Sequence, residues 1–364
     1  MKILVISTNG IIKDGITEWM TSYFRAMDKS GMWVHTVAYE DADSDTLESV
    51  RSAGLKVHTL PSRKSTVEYC RALRKLMRDE AFDVVHVCGN SATMAIELSL
   101  AKASGVEMRI AHSHNTRCSH PLIDKMLRPV MNGTLTDRFA CGCAAGEWLF
   151  GGKMFTVIPN GKDIRRFSYN SDVRARVRKS LGLAENQVAI GHVGMFSEQK
   201  NHLFLFQIFR ELIDRNPQYH LYLMGDGGAR EHLKEEARRL GIDAVTSFLG
   251  WRNDVPELLN AMDCMVFPSL FEGLPNVVIE WQINGLPCVL STEITRECAF
   301  TPFVRFMPLS ESTKSWADAI EASLANSDRG RNCAAAVSAA VEAGYDINHN
   351  ARALRELYLK GVSR

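Results

Sequence analysis

Short runs of β-branched and other apolar residues alternate with stretches of helical period along the whole chain. In the first half the runs are KILVIS, WVHTVAYE, KVHTLP, DVVHVCG, MRIAHSH and RFACG, and amphipathic segments such as TEWMTSYFRAMDK and STVEYCRALRKLMRDE lie between most of them. Strands that are apolar on both sides must be covered on both faces. Alternation with helices supplies that cover, so the pattern predicts a parallel, doubly wound sheet. The second half repeats the scheme with VAIGHVG, HLYLMG, VTSFLG, CMVFPS, PCVLS and RFMPL. Between the halves the polar, charged stretch from Asn160 to about Leu183 interrupts the alternation, and it reads as a linker between two Rossmann-like domains.

A chain of 364 residues has room for two such domains, each with its own core. Its 46% hydrophobic and 23% charged residues are the balance of a globular protein, and a net charge of +1 gives no global attraction to nucleic acid. Nine cysteines are scattered singly except for Cys141 and Cys143. That spacing is tighter than Cys-x-x-Cys and no second pair completes a zinc site, so they read as small apolar residues of a reducing compartment. The opening run MKILVISTNG is too short for a secretory h-region, and no apolar stretch reaches bilayer length. The expected location is cytoplasmic, at most peripheral on the inner face of the cell membrane.

The chemistry concentrates in LFEGLPNVVIEWQINGLPCV, where seven residues separate Glu272 from Glu280. The strand CMVFPS leads into this loop, and Asn276 is placed to cap a helix that runs to about Asn284, with Gly285 beyond its end. Pro275 suits a helix start because it gives up an N–H that would be unpaired there. Unpaired amides and the positive end of the helix dipole then meet a phosphate, while the carboxylates accept from hydroxyls. A ligand with a diphosphate in its middle and a hydroxyl-rich ring at each end fits this combination, and a nucleotide sugar is one. Gly194, Gly225 and Gly250 end second-half strands, where glycine lets a ligand approach the backbone. Neither half carries Gly-x-Gly-x-x-Gly, which argues against a nicotinamide dehydrogenase.

The stretch FPSLFEGLPNVVIEWQINGLPCVLS resembles the two-glutamate signature of glycosyltransferase family 4, retaining enzymes of the GT-B fold. VIPNG, GHVGMFSEQKNH, LMGDGG, FLGWRNDVPELLNAMD and AHSHN fall in the family's order, so the resemblance spans nearly the whole chain and is nearest to bacterial exopolysaccharide and capsule enzymes. It implies two Rossmann-like domains facing each other across a cleft. Residues 1–165 would be the acceptor side, 166–346 the nucleotide-sugar side, and a C-terminal helix, 347–364, would pack back on the first. It further implies that Glu272 binds hydroxyls of the donor sugar and Glu280 the ribose diol. Backbone amides of Gly273, Leu274, Pro275, Asn276 and Val277 are the implied cradle of the diphosphate or sugar, although Pro275 itself has no N–H. Lys200, after the strand ending at Gly194, would neutralise the leaving diphosphate. His114 would face the reacting sugar, and Gly15 would let the first loop approach the diphosphate and acceptor. His112 alternates with His114 and is expected to face elsewhere. No separate cofactor or metal is implied; the donor is expected to be a UDP-sugar, and the acceptor a glycan or a polyprenyl-diphosphate-linked glycan. Residues 117–139, with Arg117, Lys125, Arg128 and Arg138 among apolar residues, could rest on an anionic membrane or form an ordinary packed helix.

Two positions depart from the family. Met195 stands where an arginine is usual, and Asp14 precedes Gly15 where glycines are usually paired. Arg117 and Arg252 are candidate substitutes for the missing cation. The departures support a second reading, a catalytically silent subunit that stabilises a partner glycosyltransferase, and a GT-B-like epimerase or phosphorylase is a further alternative.

Overall fold

In the computed structural model, which describes residues 1–325 and 327–362, the chain divides into two compact units. The first comprises Met1–Gly161 and Gly344–Arg364, the second Lys162–Ala343. The boundaries fall a few residues before those expected at 165 and 346. The last helix runs Ile347–Val362, and the remainder of the segment expected to 364, Ser363 and Arg364, lies outside the described residues.

The first unit holds a seven-stranded parallel sheet of order β3-β2-β1-β4-β5-β6-β7. Its strands are β1 (Lys2–Ser7), β2 (Trp33–Tyr39), β3 (Lys56–Leu60), β4 (Val84–Gly89), β5 (Met108–Ser113), β6 (Asp137–Ala140) and β7 (Thr156–Val157). In β1, Ile3 and Val5 enter one apolar cluster while Leu4 and Ile6 enter another, and all four are fully buried. That is why the strand reads as an unbroken apolar run and not as an alternation. Helices Gly15–Ala26 and Ile347–Val362 cover one face, with Ala351, Leu354 and Tyr358 of the last helix in the core. Helices Thr66–Glu80 and Ala95–Ala103 cover the other.

The second unit repeats the plan with six parallel strands of order β10-β9-β8-β11-β12-β13. These are β8 (Val188–Val193), β9 (Tyr219–Met224), β10 (Thr246–Gly250), β11 (Cys264–Phe267), β12 (Cys288–Ser291) and β13 (Val304–Met307). The order reverses between β8 and β11, and it is at such a switch point that the carboxyl ends of two strands diverge and leave a crevice.

The stretch expected as a linker, 160–183, is structured. From Lys162 onward it belongs to the second unit and forms helices Ile164–Phe167 and Ser171–Ser180. Two of its arginines, Arg174 and Arg178, turn inward although the segment looks solvated. Arg178 is buried and donates to the carbonyls of Ala184, Gln187 and Ala261, and Arg174 pairs with Asp263 at 2.6 Å.

Candidate functional site

Both sides of the β8/β11 switch point carry residues singled out above. After β8 the chain passes Gly194 and a short turn, Glu198–Lys200; after β11 it passes the Glu272 loop and enters helix Asn276–Ile283. Two hydrogen bonds lock the loops together: Leu270 N–H donates to the Gln199 carbonyl at 2.8 Å, and the Gln199 side chain donates from Nε2 to the Phe271 carbonyl at 2.9 Å. Lys200 Nζ lies 2.6 Å from Glu272 Oε1, with only 15% and 9% of the two side chains exposed. The same ammonium sits over the Phe267 ring at 4.7 Å, so one of its sides is closed by an aromatic face.

Helix Asn276–Ile283 starts one residue earlier than a cap at Asn276 requires. Pro275 occupies the cap position and Asn276 is the first helical residue, its Oδ1 buried without a partner among the described residues. Proline has no side-chain acceptor, and the first turn has no acidic residue, so no side chain caps these amides. Gly285 ends the helix in the left-handed region, at φ 75°.

Two of the strand-end glycines pack closely against protein atoms. A Cβ on Gly225 would stand 1.9 Å from the Gly194 carbonyl oxygen, so glycine here admits the neighbouring backbone. Gly194 itself sits against the lysine: a Cβ there would meet Lys200 Cε at 3.1 Å and His192 Nε2 at 3.4 Å. His192 is fully buried and donates from Nδ1 to the Val266 carbonyl at 3.0 Å, which leaves Nε2 as a lone pair with no partner among the described residues. The His202 ring lies 4.6 Å from it. Burial and the charge of Lys200 pull both rings down, His202 to about 4, so the lysine rests beside neutral imidazoles.

Glu280 is buried one turn into the helix and pairs with Lys162, Nζ to Oε1 2.6 Å, the side chains 4% and 7% exposed. Lys162 is absent from the residues expected at the site. A lysine in a polar stretch, 118 positions from its partner, carries no local sign of burial.

In the first unit Asp14 caps helix Gly15–Ala26, accepting from the Thr17 amide, and Gly15 is its first residue. The carboxylate that departs from the family pattern thus has a structural task. His114 follows β5, its amide bonded to the Gly89 carbonyl. His112 does not face elsewhere: its ring is 4.0 Å from that of His114, because residues two apart on a strand share a face. His112 Nδ1 is 3.1 Å from His86 Nε2, His86 Nδ1 is 2.6 Å from the Tyr358 hydroxyl, and Trp19 packs edge-on to all three histidines. Burial pulls His114 and His86 down to about 3 and His112 well below the usual range, so none carries charge at neutral pH.

Residues 187–326 match the family model described as glycosyl transferases group 1. Over 96% of this chain and 94% of the other, the sequence is 31% identical to a Bacillus subtilis (strain 168) protein named as a glycosyltransferase, EpsF. The chain is a group 1 glycosyltransferase. An Escherichia coli enzyme named UDP-Gal:alpha-D-GlcNAc-diphosphoundecaprenol alpha-1,3-galactosyltransferase is 30% identical over 62% of each chain. The fold is shared with the Anabaena protein Alr3699/HepE solved with UDP-glucose, at TM-score 0.78 and 19% identity over 99% of this chain and 100% of that one. This glycosyltransferase therefore has the GT-B fold.

Of the cations considered as substitutes for an arginine at Met195, Arg252 is engaged with Asp254 at 2.7 Å and Arg117 is an exposed residue of the other unit. Met195 is 49% exposed. In the 117–139 segment the glycosyltransferase forms helix Pro121–Thr134, which buries Met131 but also carries apolar residues on its exposed side. Asp124 is buried, accepting from the Ala92 amide at 2.7 Å and from Arg128 at 2.7 Å, while Leu122, Ile123, Met126 and Val130 are exposed. Arg128 is thereby drawn inward, over the Trp148 ring.

Proposed function

We propose that this glycosyltransferase moves a sugar, with retention of configuration, from a UDP-sugar to a glycan or polyprenyl-diphosphate-linked glycan in cell-surface polysaccharide synthesis. The observation that carries the reading is the Lys200–Glu272 contact at the β8/β11 switch point, beside a helix start that no side chain caps. In this reading the diphosphate binds at those amides, Glu272 takes donor-sugar hydroxyls and Glu280 the ribose. As the glycosidic bond breaks, the charge gathering on the leaving diphosphate is met by Lys200 and the helix start and not by a metal ion. The acceptor hydroxyl attacks on the face the diphosphate leaves, and its proton passes to a leaving oxygen. The UDP of the HepE complexes and the donor and lipid-linked acceptor in the E. coli enzyme's name support the choice of substrates. The cap made by Asp14 gives one of the two departures a structural reason.

The test is turnover with a panel of UDP-sugars, followed by NMR for the anomeric configuration of the product. Lys200→Ala should lower kcat by about two to three orders of magnitude, or about 3–4 kcal/mol. A parent chain that neither hydrolyses nor transfers from any nucleotide sugar would contradict the reading.

The acceptor's lipid suggests a membrane-side position, and helix Pro121–Thr134 is the proposed contact. Leu122 and Met126, 80% and 77% exposed, project from one side together with Val130, and Lys125 supplies a cation for anionic headgroups. Replacing both Leu122 and Met126 by Asp should abolish sedimentation with anionic vesicles and leave UDP binding intact. Sedimentation equal to the parent's would place the contact elsewhere. No helix among the described residues is long and apolar enough to cross a membrane.

A further inference from the structure

A buried nitrogen beside Lys200 has no partner. His192 stands on β8 with no exposed surface, and its Nδ1–H is committed to the Val266 carbonyl at 3.0 Å. Nε2 therefore carries a lone pair, which nothing among the described residues meets. A buried acceptor without a donor costs its desolvation, so an unpaired one beside a site calls for a donor that arrives during function.

The donor at hand is the lysine. A Cβ on Gly194 would lie 3.4 Å from His192 Nε2, 3.3 Å from Lys200 Cδ and 3.1 Å from its Cε. The nitrogen and the end of the lysine arm thus border one small space that glycine leaves open. Phe267 neighbours both, its ring 5.3 Å from that of His192 and 4.7 Å from the ammonium. Among the described residues the ammonium donates to Glu272 Oε1 alone, so two of its three N–H groups are uncommitted. His202 also ends in an unpaired Nε2, but that ring packs edge-on to His192 and Phe196, and its nitrogen is not among the atoms nearest Gly194.

The two acceptors act on an ammonium differently. A carboxylate aims the lysine and offsets its charge, whereas a neutral imidazole aims it and leaves the charge for an anion. Burial, and after it the His202 ring, hold His192 well below the usual histidine range, so the lone pair persists at neutral pH.

We propose that His192 is a positioning residue for Lys200. When a bound diphosphate draws the ammonium from Glu272, one N–H passes to His192 Nε2, which keeps the lysine aimed at the charge as it develops. The same exchange frees a Glu272 oxygen for the sugar hydroxyls. The inference rests on the roles proposed above for Lys200 and Glu272.

Transfer kinetics with the UDP-sugar that the panel identifies test this on the parent, His192→Asn, His192→Gln, and both Lys200→Ala and Lys200→Ala/His192→Asn. Asparagine keeps a donor for the Val266 carbonyl but has no atom at the Nε2 position, whereas glutamine reaches it with an amide oxygen. His192→Asn should lower kcat about tenfold with KM within about twofold, and His192→Gln should regain at least about half of the loss. In the Lys200→Ala background the asparagine should cost less than about twofold, because the group it positions is gone. An equal loss in both backgrounds, or a folded His192→Asn with the parent's kcat, overturns the inference and makes the ring purely structural. Should the variants fail to fold, 15N NMR of the unmodified chain decides. Added UDP should move the His192 Nε2 signal upfield, as a lone pair does on accepting a hydrogen bond, and an unmoved signal overturns the inference while UDP binding keeps the donor site standing. A parent that binds no UDP and turns over no UDP-sugar overturns the donor site itself, and this inference with it.

Discussion

Met195 is half exposed at the end of the turn from β8, two residues past the strand and on the same loop as Lys200. A methionine offers no hydrogen bond to an anion, whereas an arginine gives a bidentate, charge-assisted pair. Met195→Arg should therefore tighten UDP binding by about 1–2 kcal/mol, measured by calorimetry. Unchanged affinity would mean that this position does not face the diphosphate. Residues of this kind were legible because the family pattern marks their places; Glu272, Glu280 and Lys200 are read from short motifs. Lys162 was not, since burial of a charged side chain depends on a partner that the fold brings from far along the chain. His112 was misread for a simpler reason: residues two apart on a strand share a face, and the ring contact with His114 follows from that.

At the scale of elements, helix Ser171–Ser180 shows how arginine disguises structure. Arg178 donates to three backbone carbonyls and to Asp263, and it bridges this helix to the segment before β11. Arg178→Met should destabilise the second unit by about 3 kcal/mol, because three carbonyls and Asp263 each lose a charged donor, Asp263 keeping Arg174, while the aliphatic volume is kept. Urea titration checks this, and a change under about 0.5 kcal/mol, the range of ordinary surface substitutions, would show that water replaces the guanidinium freely. The twelve strands anticipated from apolar runs are all present, since a parallel strand covered on both faces must be apolar throughout. β7 escaped notice because it is two residues long and exposed. The supposed linker escaped because its helix is held by hydrogen bonds to buried arginines, and a polar sequence conceals that kind of packing.

Both units hold histidines whose burial keeps them neutral, among them His86, His112 and the partly exposed His114 in the first unit and His192 and His202 in the second. Desolvation lowers each folded-state pKa, to about 3 for His86 and His114 and about 4 for His202, from an unfolded value near 6.5. Below pH 6.5 the unfolded chain thus binds protons that the folded chain does not. The stability from these rings is present above that pH and is lost as pH falls toward 4, by up to about 1.4 kcal/mol per pH unit for each ring. Urea midpoints at pH 7.5, 6 and 5 should drop steeply over the last interval. A midpoint independent of pH would contradict neutral burial.

In the proposed mechanism the second unit binds the nucleotide through Glu280 and acts on the sugar through Glu272. Calorimetry of UDP on the parent, Glu280→Gln and Glu272→Gln, paired with transfer from the UDP-sugar, measures both halves at once. The expected result is UDP affinity reduced about tenfold or more in Glu280→Gln, but kept within about threefold in Glu272→Gln while transfer is lost. UDP bound as tightly by folded Glu280→Gln as by the parent, or full transfer by Glu272→Gln, would contradict it.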